Sequence, residues 1–254
     1  MSNAVAHADH DHAPADHHPA LQHHFDTMAQ QKEAAVIGMW LFLLTEILFF
    51  GGLFVAYMIY RVWYFDAFAE ASRRLSLFWG GLNTAVLIGS SLTMALAVRA
   101  AQTNSRKWTV NWLVLTMLLG CVFLGVKVIE YEDKFANYEV PGENYNWLYH
   151  EEHAAAEHAA DGAAAPAHRE LRLTPQQLQN TTQIYFSLYF TMTGLHALHM
   201  IIGIGLMAVI TWMAWKGKFD ARWYTPVEMS GLYWHFVDIV WIFLFPLLYL
   251  VERP

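Results

Sequence analysis

The amino-acid sequence predicts an all-α, polytopic membrane protein with five transmembrane helices, and three observations carry that prediction. First, five long apolar runs stand out at about 36–60, 78–98, 109–129, 184–213 and 231–251. Each meets the roughly 20 residues needed to cross a hydrocarbon core about 30 Å thick. Second, charge is segregated. The chain is 254 residues long, 56% hydrophobic and only 15% charged, against about 25% charged in soluble domains. Within the five runs only Glu46, Lys127 and Asp238 are charged, whereas the remainder has the charge density of an ordinary water-exposed chain. Third, the runs are continuous rather than alternating, and they are too long for the roughly 10-residue strands of a membrane barrel.

Along the chain, residues 1–31 read as a disordered, His-rich tail. Its first 24 residues hold seven of the fourteen histidines, three aspartates and little that could be buried. Its histidines, His7, His10, His12, His17 and His18 among them, are weak metal candidates, set against a simple solvated tail. Residues 1–24 lack both the basic start and the apolar core of a cleavable signal segment. Residues 32–254 form the membrane domain. Short connections predict antiparallel neighbours, except for a long loop at 130–183 with an Ala/His/Glu insert at 150–168. A helix is expected to restart after Thr174-Pro175, since Thr suits an N-cap and Pro the first turn. Lys and Arg near the spans divide evenly between the two sides, so the positive-inside rule does not choose an orientation.

The single cysteine, Cys121, lies in the third span, so no disulfide or Cys-rich metal site forms within the chain. A formal charge of −7 argues against nucleic acid.

An ionisable side chain inside a span is costly and is therefore a functional candidate. Glu46 lies ten residues into the first run, about 15 Å deep. It reads as a proton-exchanging or lipid-contacting acid, or as a neutral acid bonded to a neighbouring helix. His196 and His199 share a face of span four. Together they could serve a metal with ligands from other spans, or tie helices by hydrogen bonds. His235 and Asp238 repeat that i, i+3 spacing in span five. Asp238 falls in the same membrane half as Glu46, so one shared polar pocket is an option beside a simple His–Asp pair. Lys127, at the end of span three, is expected to snorkel to the surface. Lys216, Lys218 and Arg222 are candidates for lipid headgroups, from charge at a membrane edge. No catalytic triad, phosphate loop or metalloprotease motif is present.

Three segments together resemble one family. Span one carries Trp40, Thr45-Glu46 and Gly51. Span four carries Tyr189, Thr193-Gly194, His196, His199 and Gly203. Span five carries Glu228, Tyr233-Trp234-His235-Phe236-Val237-Asp238 and Trp241. This pattern resembles subunit III of the haem-copper cytochrome c oxidases, over roughly residues 32–135 and 183–252. Members usually have seven spans, and this chain matches the last five, as in shorter bacterial members. The tail and the 150–168 insert lie outside the resemblance.

The resemblance implies an accessory subunit with no haem or copper of its own, those cofactors residing in partner subunits. Five helices would form two bundles separated by a cleft that holds phospholipid. The implied partners are the catalytic subunit I, subunit II, membrane lipids and, indirectly, cytochrome c. The implied role is support of proton uptake and protection of the catalytic centre in a proton-pumping oxidase of the bacterial inner membrane, N-terminus cytoplasmic and C-terminus outside. Glu46 matches the family's buried carboxylate, and Glu228, His196, His199, His235 and Asp238 match its motif positions. The residues agree independently, because a catalytic subunit needs histidines on several spans for two haems and a copper, and this chain has three membrane histidines on two spans. Rivals are the same subunit in a quinol oxidase or nitric-oxide reductase, a purely structural lipid scaffold, and a metal-ion transporter using the tail with Glu46, His196 and His199.

Overall fold

The computed structural model describes residues 19–147 and 174–251. Those residues form six helices: α1 (Met28–Trp63), α2 (Phe65–Arg73), α3 (Leu77–Gln102), α4 (Arg106–Ala136), α5 (Pro175–Trp215) and α6 (Thr225–Tyr249). All but α2 are long and apolar enough to cross a membrane, and they contain the five apolar runs except for the last two residues of the fifth, Leu250 and Val251. The His-rich candidates His7, His10, His12, His17 and His18 and the 150–168 insert lie outside the described residues.

Local sequence sets the helix ends. Thr27 caps α1 by accepting from the Gln30 amide at 3.2 Å. Thr174 and Gln177 form a reciprocal capping box around Pro175 at the start of α5. The α3–α4 connection is only three residues long, and Asn104 makes its turn at φ +55°, a left-handed conformation that Asn tolerates. Pro246, inside α6, has no N–H for the carbonyl four residues before it. The carbonyls that follow are orphaned by the helix end. Tyr57 of α1 and Tyr185 of α5 donate their hydroxyls to them, at Leu247 (2.7 Å) and Leu248 (2.8 Å).

Helices α3, α4, α5 and α6 form a four-helix group in which each packs against the next and α6 closes back on α3. Trp234 of α6 is its keystone. Fully buried, its indole N–H donates to Ser90 Oγ of α3 at 2.8 Å. Its ring lies so close to α4 and α5 that a Cβ on Gly120 would come within 2.8 Å of it, and one on Gly203 within 3.0 Å. Three helices thus meet one indole because small residues face it from each. Helix α1 stands outside this group, packing on α6, α5 and α2 and not on α3 or α4.

Two ion-pair networks brace the structure, and one corrects the sequence reading of Lys127. Helix α4 continues nine residues past Lys127, so its ammonium does not reach the surface and is 3% exposed. It bonds Glu130 at 2.9 Å and the Tyr249 hydroxyl at 2.8 Å. The Glu130 carboxylate also accepts from the hydroxyls of Tyr189 (2.9 Å) and Tyr249, which joins α4, α5 and α6. Nearer the α4 end, Lys134 and Arg74 both bond Glu139, at 2.8 and 3.3 Å. The Arg74 guanidinium also lies 3.5 Å over the Trp147 ring. In the adjoining connection, burial holds the Tyr145 phenol above its ordinary range, so it remains a donor, to Thr182 at 2.8 Å.

Two outcomes follow for thermal unfolding of the detergent-purified protein. Lys127→Met leaves a buried carboxylate unpaired and is expected to cost about 3–5 kcal/mol. Pairing it with Glu130→Gln should recover much of that loss; additive costs would show that the two charges act independently. Gly120→Ala drives a methyl into Trp234 and is expected to cost about 1–3 kcal/mol. Gly125→Ala, with nothing within 4 Å of its added carbon, should be neutral.

Candidate functional site

The site is built where the outlying helix α1 touches α5. Glu46 projects from the middle of α1, and its Oε2 meets His199 Nε2 at 3.1 Å. The other imidazole nitrogen, Nδ1, lies 2.8 Å from the Leu195 carbonyl of its own helix. A carbonyl only accepts, so Nδ1 carries a hydrogen. A bond at Nε2 then requires one further proton between the imidazole and the carboxyl. The pair is therefore either a neutral acid facing a neutral imidazole or a carboxylate facing an imidazolium. Both forms hold one proton and no net charge, which suits a low-dielectric setting. The side chains are 19% and 14% exposed, so the proton sits at a rim rather than in a sealed core. Phe50 lies edge-on to the His199 ring at 5.3 Å. Tyr233 of α6 donates to the His199 carbonyl at 2.9 Å, fixing this part of α5 from a second side.

The i, i+3 neighbours diverge. His196 faces the interior of the four-helix group, fully buried between the rings of Phe123 (5.3 Å) and Trp241 (5.2 Å). Neither of its nitrogens has a hydrogen-bond partner among the described residues. His235 and Asp238 likewise do not bond each other, for His235 Nδ1 meets Ser91 Oγ of α3 at 2.7 Å. Asp238 is 2% exposed beside the same serine. Glu46 and Asp238 do not share a pocket, because Glu46 turns toward α5 while Asp238 faces a groove between α3 and α6.

Glu228 lies in the first turn of α6 and pairs with Lys32 of α1 at 3.0 Å, with the Tyr224 hydroxyl 3.3 Å from the same ammonium. Lys216, Lys218 and Arg222 are exposed, at the end of α5 and in the turn after it. The two ammonium groups lie 5.6–5.7 Å from the rings of Trp212 and Trp215. This is the pairing of aromatic and basic residues found at membrane interfaces. No group of three His, Cys, Asp or Glu side chains among the described residues is placed to hold a metal ion.

On the α6 side of α1 lies an apolar groove of about 490 Å³. Trp40, Ile47 and Phe54 line one wall, Phe236, Ile239 and Phe243 the other. His235 lines both this groove and the one between α3 and α6. Sequence reasoning missed the Lys127–Glu130–Tyr249 network. Its signal was present, since Lys127 and Glu130 stand at helical i, i+3 spacing.

Comparison with known proteins fits this geometry. The family model for cytochrome c oxidase subunit III matches residues 174–252, which hold His199, Tyr233, His235 and Asp238. Cytochrome c oxidase subunit 3 of Thermostichus vulcanus is 30% identical over 229 residues, covering 90% of this chain and 92% of that one. The subunit of the same name from Synechocystis is 30% identical over 85% of this chain and 75% of its own length. Cytochrome bo(3) ubiquinol oxidase subunit 3 of Pseudomonas aeruginosa is 27% identical over 85% of this chain and 84% of its own. With five helices long and apolar enough to cross a membrane and a 30% identical relative matched over nearly its full length, the chain belongs to the cytochrome c oxidase subunit III family.

Proposed function

We propose that this chain is the accessory subunit III of a proton-pumping oxidase that takes electrons from cytochrome c. It carries no redox centre, and haem and copper reside in subunits I and II beside it. It lies in a bacterial inner membrane with its N-terminus cytoplasmic and its C-terminus outside. Its work is to support proton uptake and to prolong the life of the catalytic subunit. The observation that carries this reading is the Glu46–His199 pair, a carboxyl and an imidazole 3.1 Å apart at the rim of the membrane domain, suited to hold one proton without net charge. His235, bonded to Ser91 of α3, and Glu228, paired with Lys32 of α1, are polar ties between helices, and His196 and Asp238 are buried polar groups rather than reacting ones.

The apolar groove between α1 and α6 is the place we assign to a phospholipid acyl chain. Lys216, Lys218 and Arg222 are suited to anionic headgroups at the membrane edge. A quinol donor is the second reading, favoured by the likeness to a subunit of a ubiquinol oxidase. Haem spectra and donor-specific turnover of the purified complex distinguish the two. Metal transport has less support, since Glu46 and His199 bond each other and His196 faces away from them; metal uptake by liposomes containing this chain alone would favour it.

Glu46→Gln keeps a hydrogen-bonding side chain but removes the titratable acid proton. In the assembled oxidase we expect inactivation during turnover to quicken roughly two- to fivefold, about 1 kcal/mol or less in the barrier, with proton uptake slowed. Unchanged oxygen consumption, pumping and turnover lifetime would favour a purely structural lipid scaffold. Gly51 lines the apolar groove and has open space before it. Gly51→Phe should fill the groove and lower the phospholipid retained per haem, and undiminished phospholipid would place the lipid elsewhere.

A further inference from the structure

The flank of α6 turned toward α3 carries a feature that the Glu46–His199 site does not use. A groove of about 390 Å³ runs between the two helices. Its walls are apolar and outward-facing, with Ile88 and Leu92 from α3 and Ile239 and Ile242 from α6, each 45–63% exposed. Its floor is polar, formed by Ser91, His235 and Asp238. Neither carboxyl oxygen of Asp238 has a hydrogen-bond partner at bonding distance among the described residues. Ser91, the hydroxyl beside it, is already engaged with His235 at 2.7 Å, and one hydroxyl cannot satisfy both oxygens of a carboxyl.

Depth narrows what completes this group. Asp238 lies thirteen residues from the start of α6 and eleven from its end, about 20 and 16 Å along the axis. That is mid-membrane, where no water is at hand and an unsatisfied carboxyl is costly. A phospholipid headgroup stays at the interface, about 15 Å away. Acyl chains reach this depth but carry no donor. A protein helix carries a donor there readily. The groove also has the form a helix needs, because Ile88, Leu92 and the small Ala95 repeat at i, i+4 and i+7 along α3. They form one side of a furrow that an incoming ridge can enter.

We propose that the α3/α6 groove seats a transmembrane helix of another subunit of the oxidase, and that a hydrogen-bond donor on that helix completes Asp238. This rests on the chain being an oxidase subunit. It adds which face docks and which side chain anchors it.

The test uses the assembled complex in its own membrane. A photo-crosslinking residue in place of Ile242 is expected to give an adduct with a second, different subunit, identified by mass. Adducts with lipid only, or with a second copy of this chain, in a complex that still copurifies with haem-bearing subunits, would overturn the proposal. In a parallel arm, Asp238→Leu should weaken retention with those subunits under detergent washing by about tenfold, the scale of one interhelical hydrogen bond. Asp238→Asn, which keeps an acceptor, should retain most of it. Full retention of Asp238→Leu would count against the anchor. If Asp238→Leu fails to insert, the crosslink decides. If the unaltered chain copurifies with no haem-bearing subunit, it is the oxidase assignment that fails.

Discussion

A membrane interior offers no water, so each polar group placed there needs a partner in protein, and this constraint organises the molecule. Backbone amides are met by helices. The carbonyls freed at the end of α6 are met by Tyr57 and Tyr185, from two other helices. The charges that enter the membrane do so in pairs, Lys127 with Glu130 and Glu46 with His199. Without a hydrophobic force between helices in lipid, these polar contacts and the close packing around Trp234 are what choose one arrangement of the five spans. His196, held between two aromatic rings, and Asp238 depart from this rule, and for Asp238 the proposed partner lies on another subunit.

Helix α1 shows how the rule leads toward function. Apart from its apolar contacts it is held by three polar ties at three depths: Lys32 to Glu228, Glu46 to His199, and Tyr57 to the Leu247 carbonyl. An apolar groove separates it from α6 between two of these ties. The middle tie is the one that can exchange a proton, and it joins the outlying helix to the four-helix group. A change in its protonation would therefore act on the seam between them. Subunit III chains contribute to an oxidase without redox chemistry of their own in this proposal, and a proton-holding seam is a physical means of doing so.

Much of this was legible in the sequence. Run length and charge segregation give the five spans, Thr174-Pro175 gives the start of α5, and the cost of a charge in lipid singles out Glu46 and Asp238. What the sequence could not provide were the partners. Helical spacing placed His196 and His199 on one face, but a face is wide enough for one ring to look into the core and the other toward α1. The same latitude let His235 bond Ser91 rather than Asp238. Lys127 was misjudged because the apolar run ends before the helix does. The stretch from Glu130 to Ala136 stays helical and turns Glu130 and Lys134 inward, while Glu132 and Asp133 face out. The short helix α2 was hidden by its length, although Phe68 and Ser72 already mark its buried side.

The central claim is that Glu46 and His199 share one proton across the α1–α5 seam. Infrared difference spectroscopy of the assembled oxidase across a pH titration, with the carboxyl carbons of glutamate isotopically labelled, tests it most directly. A labelled carboxyl band that vanishes in Glu46→Gln and moves in frequency and in titration in His199→Gln is the expected result. A Glu46 band indifferent to the loss of His199 would contradict it.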